Sequence, residues 1–157
     1  MRMHTIALVT ALAALSACTS APRATHLPDR IPAGPIALSD VTWRLVEFQS
    51  MDDAQGIMRP SDPSKYTMKL GTDGRAAFQL DCNRGMGSYT STKAQDGLSG
   101  SINFSVLATT KALCPEPSMG EKIAMDTQHM RGWLLKDDKL NVSLMADGGI
   151  YVWEPIE

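Results

Sequence analysis

Reading along this sequence, no catalytic constellation can be assembled from spacing. There is no Gly-x-Ser-x-Gly elbow to expose a nucleophilic serine, no glycine loop to cradle phosphate and no His-Glu-x-x-His helix to seat zinc. Cys-x-x-Cys and His-x-His pairs are missing too, and a structural metal site needs about four closely spaced ligands. Charge of one sign is equally absent: 15 Lys and Arg stand against 17 Asp and Glu, a net charge of −2. With neither sign dominating any long stretch, there is no electrostatic footprint for nucleic acid. No internal repeat of roughly 20–50 residues is visible, which excludes solenoids and propellers. What remains, in 157 residues with 43% hydrophobic and 20% charged side chains, suits a single globular domain.

The N-terminus carries the clearest signal. Arg2 and His4 precede an apolar run from Ile6 to Leu15. A basic start and about ten apolar residues make a secretory signal, too short for a stable membrane span. The run ends in Leu15-Ser16-Ala17-Cys18, which resembles the lipobox of bacterial lipoproteins. Small residues fit a signal peptidase cleft, and only a thiol can accept the diacylglyceryl group. The resemblance implies cleavage before Cys18 and anchoring in a membrane by lipid on that cysteine, durable once two or more acyl chains are attached. Thr19 stands where an inner-membrane retention signal usually has Asp. Similarity to Gram-negative sorting therefore implies the outer membrane, facing the periplasm. Residues 19–39 contain Pro22, Pro28, Pro32 and Pro35 with little apolar periodicity and read as an extended tether, on which His26 sits solvated. The expected organisation is a signal peptide over 1–17, a lipidated tether over 18–39 and a folded domain over 40–157.

The body alternates as strands do. Val41, Trp43 and Leu45 oppose Thr42 and Arg44. A polar loop with Met51, Gly56, Pro60 and Pro63 follows. Residues 66–70 and 76–80 flank Gly71-Thr72-Asp73-Gly74, a hairpin pattern. In Asp81-Cys82-Asn83-Arg84-Gly85-Met86-Gly87-Ser88-Tyr89 the glycines predict a bend or bulge between two strands. Residues 102–106 alternate again. From Ser118 to Arg131 the pattern turns helical: Ser118 and Glu121 form a capping-box pair, and Met119, Ile123, Met130 and Leu134 share a face. Lys136-Asp137-Asp138-Lys139 reads as a hairpin turn, and residues 140–144 and 150–153 are strands around Asp147-Gly148-Gly149. The fold class is mainly β (α+β), a curved antiparallel sheet or partly open barrel packed on one late helix.

Cys82 and Cys114 allow a disulfide, a metal pair or a thiol catalyst. An exported compartment lets a disulfide persist, so that reading is favoured, and closing a loop of this length stabilises by ~3–4 kcal/mol in the chain-entropy model. His129 is the only histidine after residue 26 and lacks an evident nucleophile to serve. Most Asp residues fall in turns, where the carboxylate bonds local backbone. Methionines can ligate copper, but Met68, Met119 and Met130 fit core faces. Trp43, Tyr66, Phe78, Tyr89, Phe104, Trp133, Tyr151 and Trp153 likewise read as core.

The layout resembles the META domain, the HslJ-like group of bacterial envelope lipoproteins. The resemblance rests on Trp43-x-Leu45, Gly74, Cys82-Asn83-x-x-x-Gly87-x-Tyr89 and Thr109-Thr110-Lys111-Ala112-Leu113-Cys114-Pro115, together with the closing strands, and covers residues 40–157. It implies an antiparallel, partly open barrel with helix and a link to envelope stress or resistance to toxic compounds, with no agreed biochemical activity. The expected role is non-enzymatic, without cofactor or metal, and structural or protein-interacting. The partners are the membrane through Cys18 and envelope proteins. The rival role is a small apolar ligand or lipid held in the barrel mouth.

Overall fold

The computed structural model describes residues 38–156. The expected signal peptide, the lipidation site Cys18, His26 and nearly all of the tether lie outside the described residues.

Among the described residues ten strands are present: β1 (Thr42–Gln49), β2 (Ile57–Met58), β3 (Tyr66–Leu70), β4 (Arg75–Leu80), β5 (Asn83–Lys93), β6 (Ser99–Phe104), β7 (Ala108–Thr109), β8 (Met130–Lys136), β9 (Lys139–Leu144) and β10 (Ile150–Ile156). The described residues hold one α-helix, α1, which spans Gly120–Asp126. Eight strands pair antiparallel in the order β1, β3, β4, β5, β6, β8, β9, β10, and β10 pairs back onto β1 to close a barrel. Thr42 lies opposite Ile156 and Gln49 opposite Ile150, so the first and last strands seal along their whole length. The curved sheet or partly open barrel expected from the sequence is therefore a closed eight-stranded barrel. β2 adds to β1 and β7 to β5 as short flaps.

Local chemistry explains most of the turns. Gly71 donates to the Arg75 carbonyl at 2.8 Å, and Gly74 takes φ +79°, a left-handed value that favours glycine. Asp137 and Asp138 both adopt left-handed φ (52° and 58°), the two-residue turn that matches strand twist. Between Leu45 and Glu47 the register of β1 against β10 shifts by a bulge, which brings Phe48 inward after Trp43 and Leu45.

Three expectations need correction. The helix predicted over 118–131 is a single seven-residue segment followed by a 3-10 turn, Thr127–His129, and then strand β8. Met130 and Leu134 belong to that strand; Met130 is buried and Leu134 exposed. The supposed capping box is also absent. Met119 occupies the N-cap without a side-chain bond, while the Ser118 hydroxyl accepts from the Gly120 N–H at 3.4 Å. Gly85 and Gly87 do not bend the chain between strands either; they lie within the eleven-residue β5.

One apolar cluster fills the barrel, and it includes Trp43, Leu45, Met68, Leu70, Ile102, Met130, Leu140, Val142, Tyr151 and Trp153, all completely buried. Each such side chain stabilises by roughly 1.5–3 kcal/mol relative to exposure. Both ends are covered. At one end Leu38, just ahead of the expected boundary near Asp40, is buried in the core and accepts the Trp43 indole N–H at 3.1 Å, while Asp40 N–H donates to the Leu70 carbonyl. At the other end α1 lies across Phe48, Tyr66, Leu80 and Tyr151. Ile123 is completely buried in the cluster. Tyr151 donates to Asp126 at 2.6 Å, and Lys122 pairs with Asp126 while its ammonium sits 4.3 Å from the Phe48 ring centre. Gly120 packs so close to β4 that an added Cβ would stand 2.6 Å from the Leu80 carbonyl oxygen.

Candidate functional site

The β4–β5 hairpin turns on two residues. Asp81 takes a left-handed φ of 61°, its carboxylate is buried and 3.3 Å from the Lys65 ammonium, and its own N–H donates to the Lys65 carbonyl. This fixed turn presents Cys82 at the surface, where it is joined to Cys114 by a disulfide with a Cα–Cα distance of 5.6 Å. The preferred reading of the two cysteines thus holds in the structure.

Next to it, Asn83 works on the facing segment with every polar atom it has. Its Oδ1 accepts from the Thr110 hydroxyl and from the Ala112 N–H, both at 2.8 Å. Its Nδ2 donates to the Ala112 carbonyl at 2.9 Å and lies 3.2 Å from the Cys114 sulfur. Ala112 therefore fixes which way the amide points, since its N–H needs an acceptor and its carbonyl a donor. Thr110 completes the join: its hydroxyl accepts from the Arg84 N–H and its N–H donates to the Arg84 carbonyl, both at 3.0 Å.

Farther along β5 the two glycines leave room for Leu107. An added Cβ would come 3.2 Å from Leu107 at Gly85 and 2.8 Å at Gly87. Leu107 is buried there although it sits on a connecting segment. The Tyr89 hydroxyl then donates to the Gly71 carbonyl at 2.9 Å and ties the β3–β4 turn to the same strand. Burial, followed by the negative charges of Asp40 and Asp73, raises the pKa of this phenol. Cys82, Asn83, Gly87, Thr110 and Cys114 are thus brought together as a clamp that fastens residues 105–114 alongside β5, while Tyr89 ties the same strand to the β3–β4 turn.

Beside the clamp, between this segment and α1, runs an open groove of about 490 Å³. Val106, Leu113 and Met125 line it and are strongly exposed, Leu113 completely so. Lys111, Glu116 and Glu121 also line it and give it both signs of charge. Spacing did not reveal this apolar rim, nor Asn83 as the hub, although Asn83 stands in the Cys82-Asn83-x-x-x-Gly87-x-Tyr89 motif that carries the resemblance.

The remaining candidates lie apart from any such cluster. His129 is exposed on the 3-10 turn, and its carbonyl accepts from the Met145 N–H. Asp52, Asp62, Asp73 and Asp96 each accept a nearby backbone N–H in a turn. Hydrogen bonds lower the pKa of Asp52 (first from Gln55), of Asp62 (first from Ser64) and of Asp96 (first from the Leu98 N–H). Met68 and Met130 are buried in the core. Among the described residues no group of three or more His, Cys, Asp or Glu side chains is placed to hold a metal ion.

Comparison with known proteins places this arrangement in a family. No curated protein is significantly similar to the chain. Among solved structures, a DUF4847-family protein from Bacteroides vulgatus is similar over 72% of this chain and 90% of its own, with 12% sequence identity and a TM-score of 0.45. The model of the META domain matches residues 36–149, which takes in β1 to β9, the clamp and the helix. The chain belongs to the META-domain family.

Proposed function

We propose that this protein is a lipid-anchored component of the bacterial envelope whose barrel has a non-enzymatic structural or protein-interaction role. Membership of the META family suggests an envelope-associated protein. The finer reading adds a lipid on Cys18, an outer-membrane position facing the periplasm and a part in envelope stress tolerance. One observation carries the choice of role: the barrel interior is filled and both ends are covered, whereas the exposed apolar side chains Val106, Leu113 and Met125 line a groove on the outside. That supports contact with another protein over capture of an apolar molecule in the barrel mouth, because a ligand pocket is concave, enclosed and preformed.

The test is photo-crosslinking in intact cells from a reactive residue at Leu113, with the same residue at Thr90 on β5 as control. One protein species captured from Leu113 and not from Thr90 is the expected result. Crosslinks to lipid alone, equal from both positions, would contradict it. The anchor is tested separately: labelled fatty acid should enter the natural chain and not Cys18→Ser.

A further inference from the structure

The disulfide is placed asymmetrically, and that asymmetry has chemical meaning. Cys82 is exposed on its turn, while Cys114 is half-buried. Two N–H donors approach the Cys114 sulfur more closely than any approaches Cys82: the Cys82 backbone N–H at 3.3 Å and the Asn83 Nδ2 at 3.2 Å. The same Nδ2 is 3.8 Å from the Cys82 sulfur. A disulfide sulfur is a weak acceptor, but a thiolate is a strong one, and donors aimed at it stabilise the charge as it forms. Thiol–disulfide exchange is faster when the departing sulfur is the better thiolate and the attacked sulfur is open to approach.

We propose that Cys82–Cys114 is a site of thiol–disulfide exchange, with Cys82 the sulfur attacked and Cys114 the sulfur that leaves. The substrate class is a thiolate, from a small thiol or from a protein cysteine. In the step, the external thiolate forms a new S–S bond to Cys82 and the Cys82–Cys114 bond breaks. Its electron pair departs on Cys114, held by the two N–H groups, and no proton is transferred. The external thiol is oxidised to a mixed disulfide and Cys114 is reduced. Thr110 and Ala112 remain bonded to Asn83, so Cys114 stays close and can re-form the bond, expelling the thiol. Asn83 acts directly on the departing sulfur through its Nδ2. This inference is independent of the interaction role proposed above, since it concerns the bond itself.

The experiment treats the full oxidised chain with limiting glutathione at neutral pH, quenches with acid, caps free thiols with N-ethylmaleimide and maps the products by mass spectrometry. The expected isomer carries glutathione on Cys82 and maleimide on Cys114, in roughly tenfold excess over the reverse. Equal amounts, the reverse preference, or a disulfide intact after hours in excess glutathione would overturn the proposal. Asn83→Asp keeps an acceptor for Thr110 and Ala112 but removes the donor to Cys114; its isomer ratio should fall several-fold while circular dichroism stays unchanged. An unchanged ratio would overturn the role given to Asn83. A second arm replaces glutathione with a cysteine peptide flanked by apolar residues. Faster attack by the peptide identifies protein thiols as the substrate, faster attack by glutathione small thiols.

Discussion

The barrel wall and the segment that continues from β6 alongside β5 are held by different means. In the wall, each strand is bonded to two neighbours and alternate side chains enter a shared core, so support is redundant and distributed. Residues 105–114 have less of both: their backbone bonds β5 alone, with Ser105 N–H on the Ser88 carbonyl, and only Leu107 enters the core. Apart from the short pairing of β7 with Gly85 and Met86, they are fastened by discrete points: the disulfide, the four polar contacts of Asn83, the Thr110–Arg84 exchange and the seat of Leu107. A distributed structure fails globally, a pinned one locally.

Substitutions can break or sharpen that contrast. Leu45→Ala, in the wall, should cost about 2–5 kcal/mol in chemical denaturation and lower the midpoint for every probe together. A transition seen by only some probes would show that the wall is less cooperative than its packing implies. Removing the disulfide with Cys82→Ala and Cys114→Ala, a separation of 32 residues, should cost about 3–4 kcal/mol by the chain-entropy model and leave the near-ultraviolet signal of the core tryptophans in place. Loss of that signal would mean that the clamp supports the barrel rather than riding on it.

Asn83→Ala should cost less, about 1–3 kcal/mol, from unsatisfied groups on Ala112 and Thr110. The smallest effect at neutral pH belongs to Tyr151→Phe, whose signature is alkaline. Burial, then the hydrogen bond to Asp126 and its charge, raise the Tyr151 pKa far above the unfolded value of about 10. The neutral phenol is thus the form the fold retains. Its contribution is complete below pH about 10 and is lost as pH rises, with a slope approaching about 1.4 kcal/mol per pH unit. Denaturation of natural and Tyr151→Phe protein between pH 9 and about 11 should show a shallower decline in the variant. Parallel declines would place the alkaline sensitivity elsewhere.

How much was legible in advance follows the same division. The hairpins around Asp73-Gly74, Asp137-Asp138 and Gly148-Gly149 could be read because turn chemistry is local and the flanking strands alternate. Strand β8 was not. A bulge between Met130 and Gly132 breaks its alternation, and the resulting spacing of Met119, Ile123, Met130 and Leu134 imitates a helix that in fact ends at Asp126. β5 was hidden because Gly85 and Gly87 carry no apolar side chain; the side chain that covers that stretch is Leu107, from another part of the chain. Closure of β1 on β10 joins opposite ends of the domain, and no local pattern encodes it. In the clamp, the cysteines could be paired from compartment and number alone. The role of Asn83 depends on where residues 110–114 lie in space.

Hydrogen exchange resolved by residue tests the central claim, that the motif residues form a local clamp on an independently stable barrel. In Asn83→Ala, the Thr110 and Ala112 amides should exchange at least tenfold faster, because their opening no longer breaks the bonds to Asn83 and Arg84 together. The amides of β1, β9 and β10 should slow or quicken only with the change in global stability measured by denaturation. Acceleration of Thr110 and Ala112 by the same factor as those strand amides would contradict the account, since the clamp would then be part of the barrel's single cooperative unit.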